Sequence, residues 1–193
     1  MCLPARNEGP TIAAIVREAV RLDVVTEVVV LDDGSTDATA AVARAAGARV
    51  VGVASVLPET GPGSGKGNAM WKSLYACTGD IICWLDADLR NFRGEYIERL
   101  CAPLLARPDV MFVKAYYTRS FEGAPTGGGR VTELVARPLL SLLFPKLADV
   151  VQPLGGEYAA RRSALELLPF VEGWGVELGL LVDVVDRFGR DAV

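Results

Sequence analysis

The sequence contains no histidine, and this absence excludes several common kinds of active site within these 193 residues. A serine nucleophile activated by histidine, a histidine general base and a zinc site with histidine ligands all need an imidazole. Cysteine is scarce as well: the four cysteines form neither a CxxC pair nor a zinc-binding spacing. Cys83 lies inside an apolar run, which favours buried free thiols in a reducing compartment.

Long apolar runs and an excess of basic residues are missing too. No apolar run approaches the roughly 20 residues that a transmembrane helix needs. The residues after Met1 also lack the basic start and the apolar stretch of a signal peptide. The 20 basic residues are outnumbered by 24 acidic ones, which argues against nucleic-acid binding. With 51% hydrophobic and 23% charged residues, the sequence predicts one globular, cytoplasmic domain that binds neither nucleic acid nor membrane.

Strand and helix patterns alternate along the first half of the chain. Continuous apolar runs predict buried strands, in addition to one at the N-terminus, at residues 27–32, 49–53 and 80–86. Helical spacing of apolar residues predicts helices at residues 11–22, with Thr11 as N-cap, 36–48, closed by Gly47, and 68–79. This alternation indicates an α/β fold with a mostly parallel sheet flanked by helices.

The second half is less regular. It has patterns for a strand at 110–117, a glycine-rich loop at 124–129, a short strand and helix at 155–168, and helices at 96–105, 130–144 and 175–189. We expect the helix at 130–144 to break near Pro138 and Pro145 because proline lacks an amide donor.

Three predicted strands end in polar clusters, LPARNEG, LDDGSTD and LDAD. Ligands bind beyond the carboxyl ends of parallel strands, so these clusters predict a site. On a strand, Asp86 and Asp88 would share one face about 7 Å apart. Mg²⁺ or Mn²⁺ would offset their repulsion, with one carboxylate on the metal and the other on a sugar or ribose hydroxyl. The alternative is a solvated turn or helix cap.

Other motifs have a functional and a structural interpretation. The pair Asp32–Asp33 fits a nucleoside contact or a strand–turn–cap. The segment GPGSGKGNA is not a P-loop, because it lacks the glycine and the Ser/Thr of that motif, so its lysine contacts phosphate or solvent. Arg130 and Thr132 follow glycines at a helix start, which suits an anion or a surface loop. Glu177 could bind sugar hydroxyls or stabilise a helix N-terminus.

Seven motifs together resemble one family: LPARNEG, LDDGSTD, GSGKGNAMW, TGDIICWLDAD, GRVTELVARPLL, QPLGGEYAARR and WGVELGLLVD. They resemble, from Leu3 to Val193, the retaining GT-A glycosyltransferases that make glucosyl-3-phosphoglycerate or mannosyl-3-phosphoglycerate. The resemblance implies a metal-dependent hexosyltransferase with Mg²⁺ or Mn²⁺, a nucleotide diphosphate sugar, 3-phosphoglycerate and a homodimer. It implies a single domain with a nucleotide-sugar half (1–95) and an acceptor half (96–193). A histidine metal ligand and a lid would follow residue 193.

The resemblance also implies a role for individual residues. Asp88 would bind the metal, and the catalytic residues would be Asp86, Arg130 and Glu177. The phosphate of the acceptor would be bound by Gly129, Arg130, Val131 and Thr132. The donor would be bound by Pro4, Ala5, Arg6, Asn7, Glu8, Asp33, Lys66, Asp86, Ala87, Trp174, Gly175, Val176 and Glu177.

Three differences from the glucosyl enzymes lie on the nucleotide side. Ala87 stands where those enzymes typically have serine, Arg6 replaces an apolar residue, and Asp33 replaces a serine. UDP-glucose, GDP-glucose and GDP-mannose therefore stay open as donors. The alternative functions are a GT-A transferase with a lipid phosphate, sugar or protein as acceptor, and a non-catalytic nucleotide-sugar-binding domain.

Overall fold

A six-stranded sheet organises the computed structural model, which describes residues 1–117, 120–121, 124–127 and 129–193. The strands are β1 Cys2–Ala5, β2 Val29–Asp32, β3 Arg49–Gly52, β4 Ile81–Trp84, β5 Phe112–Lys114, β6 Ser120–Phe121, β7 Ala124–Gly127 and β8 Tyr158–Arg161. The sheet has the spatial order β3-β2-β1-β4-β8-β5, and β6 pairs with β7 in a separate two-stranded sheet. Strands β1 to β4 are parallel, and β8 runs antiparallel to both β4 and β5. The predicted mostly parallel sheet is confirmed.

Helices cover both faces of the sheet. They are α1 Gly9–Ala19, α2 Thr39–Ala46, α3 Gly65–Ala76, α4 Glu95–Ala106, α5 Arg137–Leu143, α6 Arg162–Leu165 and α7 Val176–Phe188. Gly47 ends α2 at a φ of 110°, a left-handed conformation that glycine adopts without steric cost, as its position in the sequence predicted. Within the described part of the chain, no helix is both long and apolar enough to cross a membrane.

Alternation along the strands divides the core into two clusters. Trp84 and Tyr158 pack on the face that α3 and α7 cover, whereas Cys83 and Ala159 pack on the face that α1, α2 and α4 cover. Each strand of the sheet therefore contributes to both clusters, as expected for strands buried on both faces. All four cysteines are buried and free, as predicted.

Two expectations for the first half are wrong. Thr11 is not an N-cap, because Glu8 occupies the N-cap position of α1 and the Thr11 hydroxyl donates instead to the carbonyl oxygens of Glu8 and Ala87. Asp86 and Asp88 do not lie on a strand, because β4 ends at Trp84 and the chain turns. The alternation rule therefore does not set their separation.

Two expectations for the second half are corrected as well. Residues 124–127 of the predicted loop form β7 because they pair with β6, and Gly128 lies outside the described residues. The helix at 130–144 does not break at Pro138, which occupies the first turn of α5 after π-helical turns at Thr132–Ala136. Proline is accommodated there because the π-helical turns before it already interrupt the regular hydrogen-bond pattern that a proline would break. The break comes at Phe144, before Pro145.

Glu27 ties β3 and the segment after α3 to the N-terminal edge of the sheet. Its Oε2 lies 2.7 Å from Nη2 of Arg49, and its Oε1 accepts hydrogen bonds of 2.5 and 2.8 Å from the backbone amide and hydroxyl of Thr78. Burial opposes the charged carboxylate, but these partners outweigh it and lower the pKa of Glu27 to about 2. A carboxylate with a lowered pKa stabilises the fold above its unfolded-state pKa.

We expect Glu27→Gln to lower the free energy of unfolding at pH 7 by about 2 kcal/mol, because the glutamine keeps only part of the hydrogen bonding. The loss shrinks as the pH falls from about 4.5 toward 2, where the wild-type carboxylate takes up its proton. Urea unfolding at several pH values measures it, with the exposed Glu59→Gln as control. A loss that is the same at every pH would contradict the explanation.

Candidate functional site

Lys66 joins two carboxylates at the carboxyl end of the sheet. Its Nζ lies 2.5 Å from Oδ1 of Asp86 and 2.8 Å from Oε1 of Glu177. Asp86 follows β4, Lys66 lies in the first turn of α3, and Glu177 lies in the first turn of α7. The side chains of Lys66 and Glu177 are only 10% and 6% exposed. The structure therefore brings together three residues that the resemblance placed at the donor.

The charges in this network support one another. Burial alone would lower the pKa of Lys66, but Asp86 and Glu177 raise it above its ordinary value, so the lysine is a permanent cation. A buried ammonium group with two carboxylates carries a net charge of one negative unit. Such a group is preorganised to hold hydroxyl groups of a ligand, because its members keep their positions through short ionic contacts.

Close backbone contacts bring the three residues together. A Cβ at Gly65 would lie 2.9 Å from Cα of Gly173, and one at Gly67 would lie 1.9 Å from the carbonyl oxygen of Val171. Only glycines allow the segment before α7 to pack this closely on the first turn of α3. That packing places Glu177 beside Lys66. The pattern GSGKG, which fails as a P-loop, is explained by this contact.

The backbone of Gly156 packs directly against the carboxylate of Asp86. A Cβ at this position would lie 2.2 Å from both carboxylate oxygens of Asp86, so the backbone itself touches the carboxylate. Gly156 lies two residues before β8, whose Tyr158 pairs with Trp84 of β4. The antiparallel insertion of β8 thus carries the glycine to the end of β4. The sequence showed the GGEY motif, but nothing in its spacing indicated this contact.

Lys114, at the end of β5, is a half-buried lysine that sequence reasoning missed. Its Nζ donates to the carbonyl oxygen of Gly155 and lies 4.4 Å from the ring centroid of Tyr158. Burial lowers the pKa of Lys114 to about 7, although the charges of Glu177 and Glu157 oppose this shift. A lone lysine in the apolar run VMFVKAYY was the available signal.

The loop after β1 is held by hydrogen bonds to the turn after β2. The side-chain oxygen of Asn7 accepts a 2.8 Å hydrogen bond from the amide of Thr36, and the amide of Asn7 donates to Oγ of Ser35 at 3.0 Å. Asn7 has a φ of 59°, and Arg6 beside it is exposed. Asn7 therefore shapes the loop, and the donor contacts of Pro4, Ala5, Arg6 and Asn7 stay predictions.

Negative charge gathers at the same edge of the sheet. Burial and the charges of Asp88, Asp37 and Asp86 raise the pKa of Glu8 above its ordinary value. In the described part of the chain, no three acidic or cysteine side chains lie close enough to hold a metal by themselves. Asp88 is exposed. A carboxylate such as that of Asp88 has the oxygen chemistry that a divalent cation prefers, and its role as a metal ligand stays a prediction.

The remaining predicted residues differ in their exposure to solvent. Ala87 is buried, and Asp33 is half-buried at the end of β2, where its amide donates to the carbonyl oxygen of Ala5. Trp174 is 82% exposed beside Gly175, whereas Val176 is buried in α7. The acceptor residues Gly129, Arg130, Val131 and Thr132 start the helical segment before α5, with Arg130 exposed and Thr132 buried. Their approach to Asp86 stays a prediction.

The family model described as Glycosyl transferase family 2 matches residues 1–167. The chain belongs to glycosyl transferase family 2. This family 2 chain is 44% identical over 202 residues to glucosyl-3-phosphoglycerate synthase of Petrotoga mobilis, covering 100% of this chain and 62% of the relative. It is 50% identical over 197 residues to the synthase of Mycolicibacterium smegmatis, covering 99% and 65%. The chain thus spans less than two thirds of the length of these curated relatives.

Solved structures agree with the family 2 assignment. The crystal structure of glucosyl-3-phosphoglycerate synthase from Mycobacterium tuberculosis with Mn²⁺, UDP-glucose and phosphoglyceric acid matches with a TM-score of 0.91 and 50% identity, over 99% of this chain and 66% of that one. A complex of the same enzyme with Mg²⁺ and UDP matches with a TM-score of 0.91 and 48% identity, over the same shares. The GT-A fold and the family resemblance predicted from the sequence are confirmed.

Proposed function

We propose that the protein transfers glucose from UDP-glucose to the 2-hydroxyl of 3-phosphoglycerate, with retention of configuration and with Mg²⁺ or Mn²⁺. The observation that carries the proposal is the network of Lys66, Asp86 and Glu177 at the carboxyl end of the sheet. The identity of 44% and 50% to glucosyl-3-phosphoglycerate synthases supports glucose over mannose. The similar crystal structure that contains UDP-glucose supports UDP over GDP. Residues 1–95 would bind the donor and residues 96–193 the acceptor.

The network would orient the hexose. Lys66 holds one oxygen of Asp86 and one of Glu177, which leaves the second oxygen of each carboxylate to accept hydrogen bonds from hexose hydroxyls. A divalent cation on Asp88 would supply charge neutralisation for the leaving diphosphate. Arg130 would bind the phosphate of the acceptor and aim the 2-hydroxyl at the anomeric carbon.

The same contacts favour front-face attack over a double displacement. A double displacement needs a carboxylate nucleophile at the anomeric carbon, and the ionic contacts to Lys66 reduce the nucleophilicity of Asp86 and Glu177. In front-face attack the acceptor oxygen bonds to the anomeric carbon as the bond to the diphosphate breaks. The hydroxyl proton passes to the leaving phosphate oxygen. No protein base is then required.

The test is turnover of the full-length protein with 3-phosphoglycerate and Mn²⁺, offered UDP-glucose, GDP-glucose or GDP-mannose in turn. We expect UDP-glucose to be the preferred donor. We also expect the coupling constant of the anomeric proton in the product to show the same anomeric configuration as in the donor. Asp88→Asn should lower kcat/KM by about 100-fold or more, because metal-assisted departure of the diphosphate is lost. Asp109→Asn, an exposed carboxylate at the opposite end of the sheet, is the matched control.

Turnover with a GDP-sugar alone would overturn the donor assignment. Metal-dependent UDP-glucose binding without transfer to 3-phosphoglycerate would favour a different acceptor or a non-catalytic nucleotide-sugar-binding domain. The homodimer implied by the resemblance stays a prediction, which a molar mass in solution tests. The side chains of Leu134, Leu142 and Leu143 are exposed, and exposed apolar side chains would suit such a protein contact.

A further inference from the structure

The carboxylate of Asp86 lies between the ammonium group of Lys66 and the backbone of Gly156. Lys66 holds its Oδ1 at 2.5 Å, and the backbone of Gly156 lies so close that a Cβ would come within 2.2 Å of both carboxylate oxygens. A shift of Gly156 would therefore change the room that the carboxylate has. The position of Asp86 therefore depends on the contacts that hold the segment 152–157.

Three contacts hold this segment to the end of β5. The amide of Ala115 donates to the carbonyl oxygen of Glu157 at 3.0 Å, and Nε2 of Gln152 donates to the carbonyl oxygen of Tyr117 at 2.7 Å. Between them, Nζ of Lys114 donates to the carbonyl oxygen of Gly155, the residue directly before Gly156. Among these three contacts, Lys114 acts closest to Gly156.

The position of Lys114 is itself well defined. Its ammonium group lies over the ring of Tyr158, which is fully buried and packs between Trp84 and Phe112 at centroid distances of 5.4 and 5.3 Å. On its other side Lys114 borders a cavity of about 610 Å³ between α4 and β5. Glu157 lines the same cavity, so the segment 152–157 borders open space at its C-terminal end.

We infer that Lys114 is a positioning residue, which fixes Gly155 and Gly156 against Asp86 and thereby sets the geometry of the Lys66–Asp86–Glu177 network. The inference rests on the proposed function, because the network is taken as the group that orients the hexose. Lys114 does not touch substrate in this account.

The test compares Lys114→Met, which keeps the apolar stem over Tyr158, with Lys114→Arg, which keeps a donor. We expect Lys114→Met to lower kcat about tenfold and to change the KM for UDP-glucose by less than about threefold, because orientation is lost and diphosphate binding is kept. Hydrogen exchange in residues 152–157 should become faster in the same variant. Lys114→Arg should recover kcat and slow exchange, and Lys146→Met is the control at an exposed lysine.

A lower melting temperature with unchanged kcat and unchanged exchange would overturn the inference, since Lys114 would then only stabilise the fold. A large rise in KM at constant kcat would also overturn it, because it would indicate direct binding. Absence of turnover in the wild type counts against the proposed function instead, and the exchange of residues 152–157 then decides the inference alone. If Lys114→Met does not fold, Lys114→Gln is measured in the same way.

Discussion

Lys66→Met is expected to lower kcat/KM by about a thousandfold, because removing the ammonium group leaves two neighbouring carboxylates to repel each other. Glu177 is nearly fully buried, so it can keep its charge only with a partner. In the variant it takes up a proton or moves toward solvent. Either change removes an acceptor that the hexose hydroxyls need. Steady-state kinetics with UDP-glucose and 3-phosphoglycerate measure the loss.

Stability should fall in the same variant by about 3 kcal/mol, the usual cost of breaking a buried ion pair by removing one partner. Adding Glu177→Gln to Lys66→Met removes one of the stranded charges, so the double variant should be more stable than the single one yet equally inactive. Lys146→Met, at an exposed lysine, is the matched control. Wild-type kinetics in Lys66→Met would contradict the role of the network.

Gly156→Ala is expected to lower kcat by about 100-fold, because the new methyl group would overlap both oxygens of Asp86. Asp86 cannot simply rotate away, since Lys66 holds it at 2.5 Å. The overlap should also lower the free energy of unfolding by about 1–3 kcal/mol, the range for overpacked sites.

The neighbouring glycine provides a matched control for this substitution. A Cβ at Gly155 would meet its nearest atom, Oε2 of Glu157, at 3.4 Å, and neither glycine has a positive φ. Gly155→Ala should therefore keep most of the activity. Kinetics and thermal unfolding of the two variants separate the overlap at Asp86 from the general cost of replacing glycine. Equal effects at both positions would contradict the proposed role of the contact between Gly156 and Asp86.

The sequence predicted those features of the fold that depend on local patterns. Continuous apolar runs identified β2 and β4, because a buried strand needs apolar residues next to one another. Gly47 marked the end of α2, because the backbone conformation there favours glycine. The same local reasoning was wrong for Thr11, whose hydroxyl donates to the carbonyl oxygen of Ala87 far along the chain. A tertiary contact replaced the predicted cap.

The site was predicted only in part for the same reason. Family motifs indicated Lys66, Asp86 and Glu177, and the structure brings these residues together. Lys114 and Gly156 reach the network through the pairing of β8 with β4 and β5. Pairing between strands so far apart in the chain leaves no periodicity to detect. A lysine in an apolar strand was visible in the sequence, but its partner was not.

The place of β8 between β4 and β5 has a consequence for how the protein is made. A ribosome completes β1 to β4 early, while the strand that later covers the open edge of β4 is still unsynthesised. Until β8 arrives, the nascent chain displays an unpaired apolar edge that includes Trp84, and such edges pair readily with other chains. The topology that carries Gly156 to Asp86 thus leaves this edge of β4 open to wrong pairing until residues 158–161 have been synthesised.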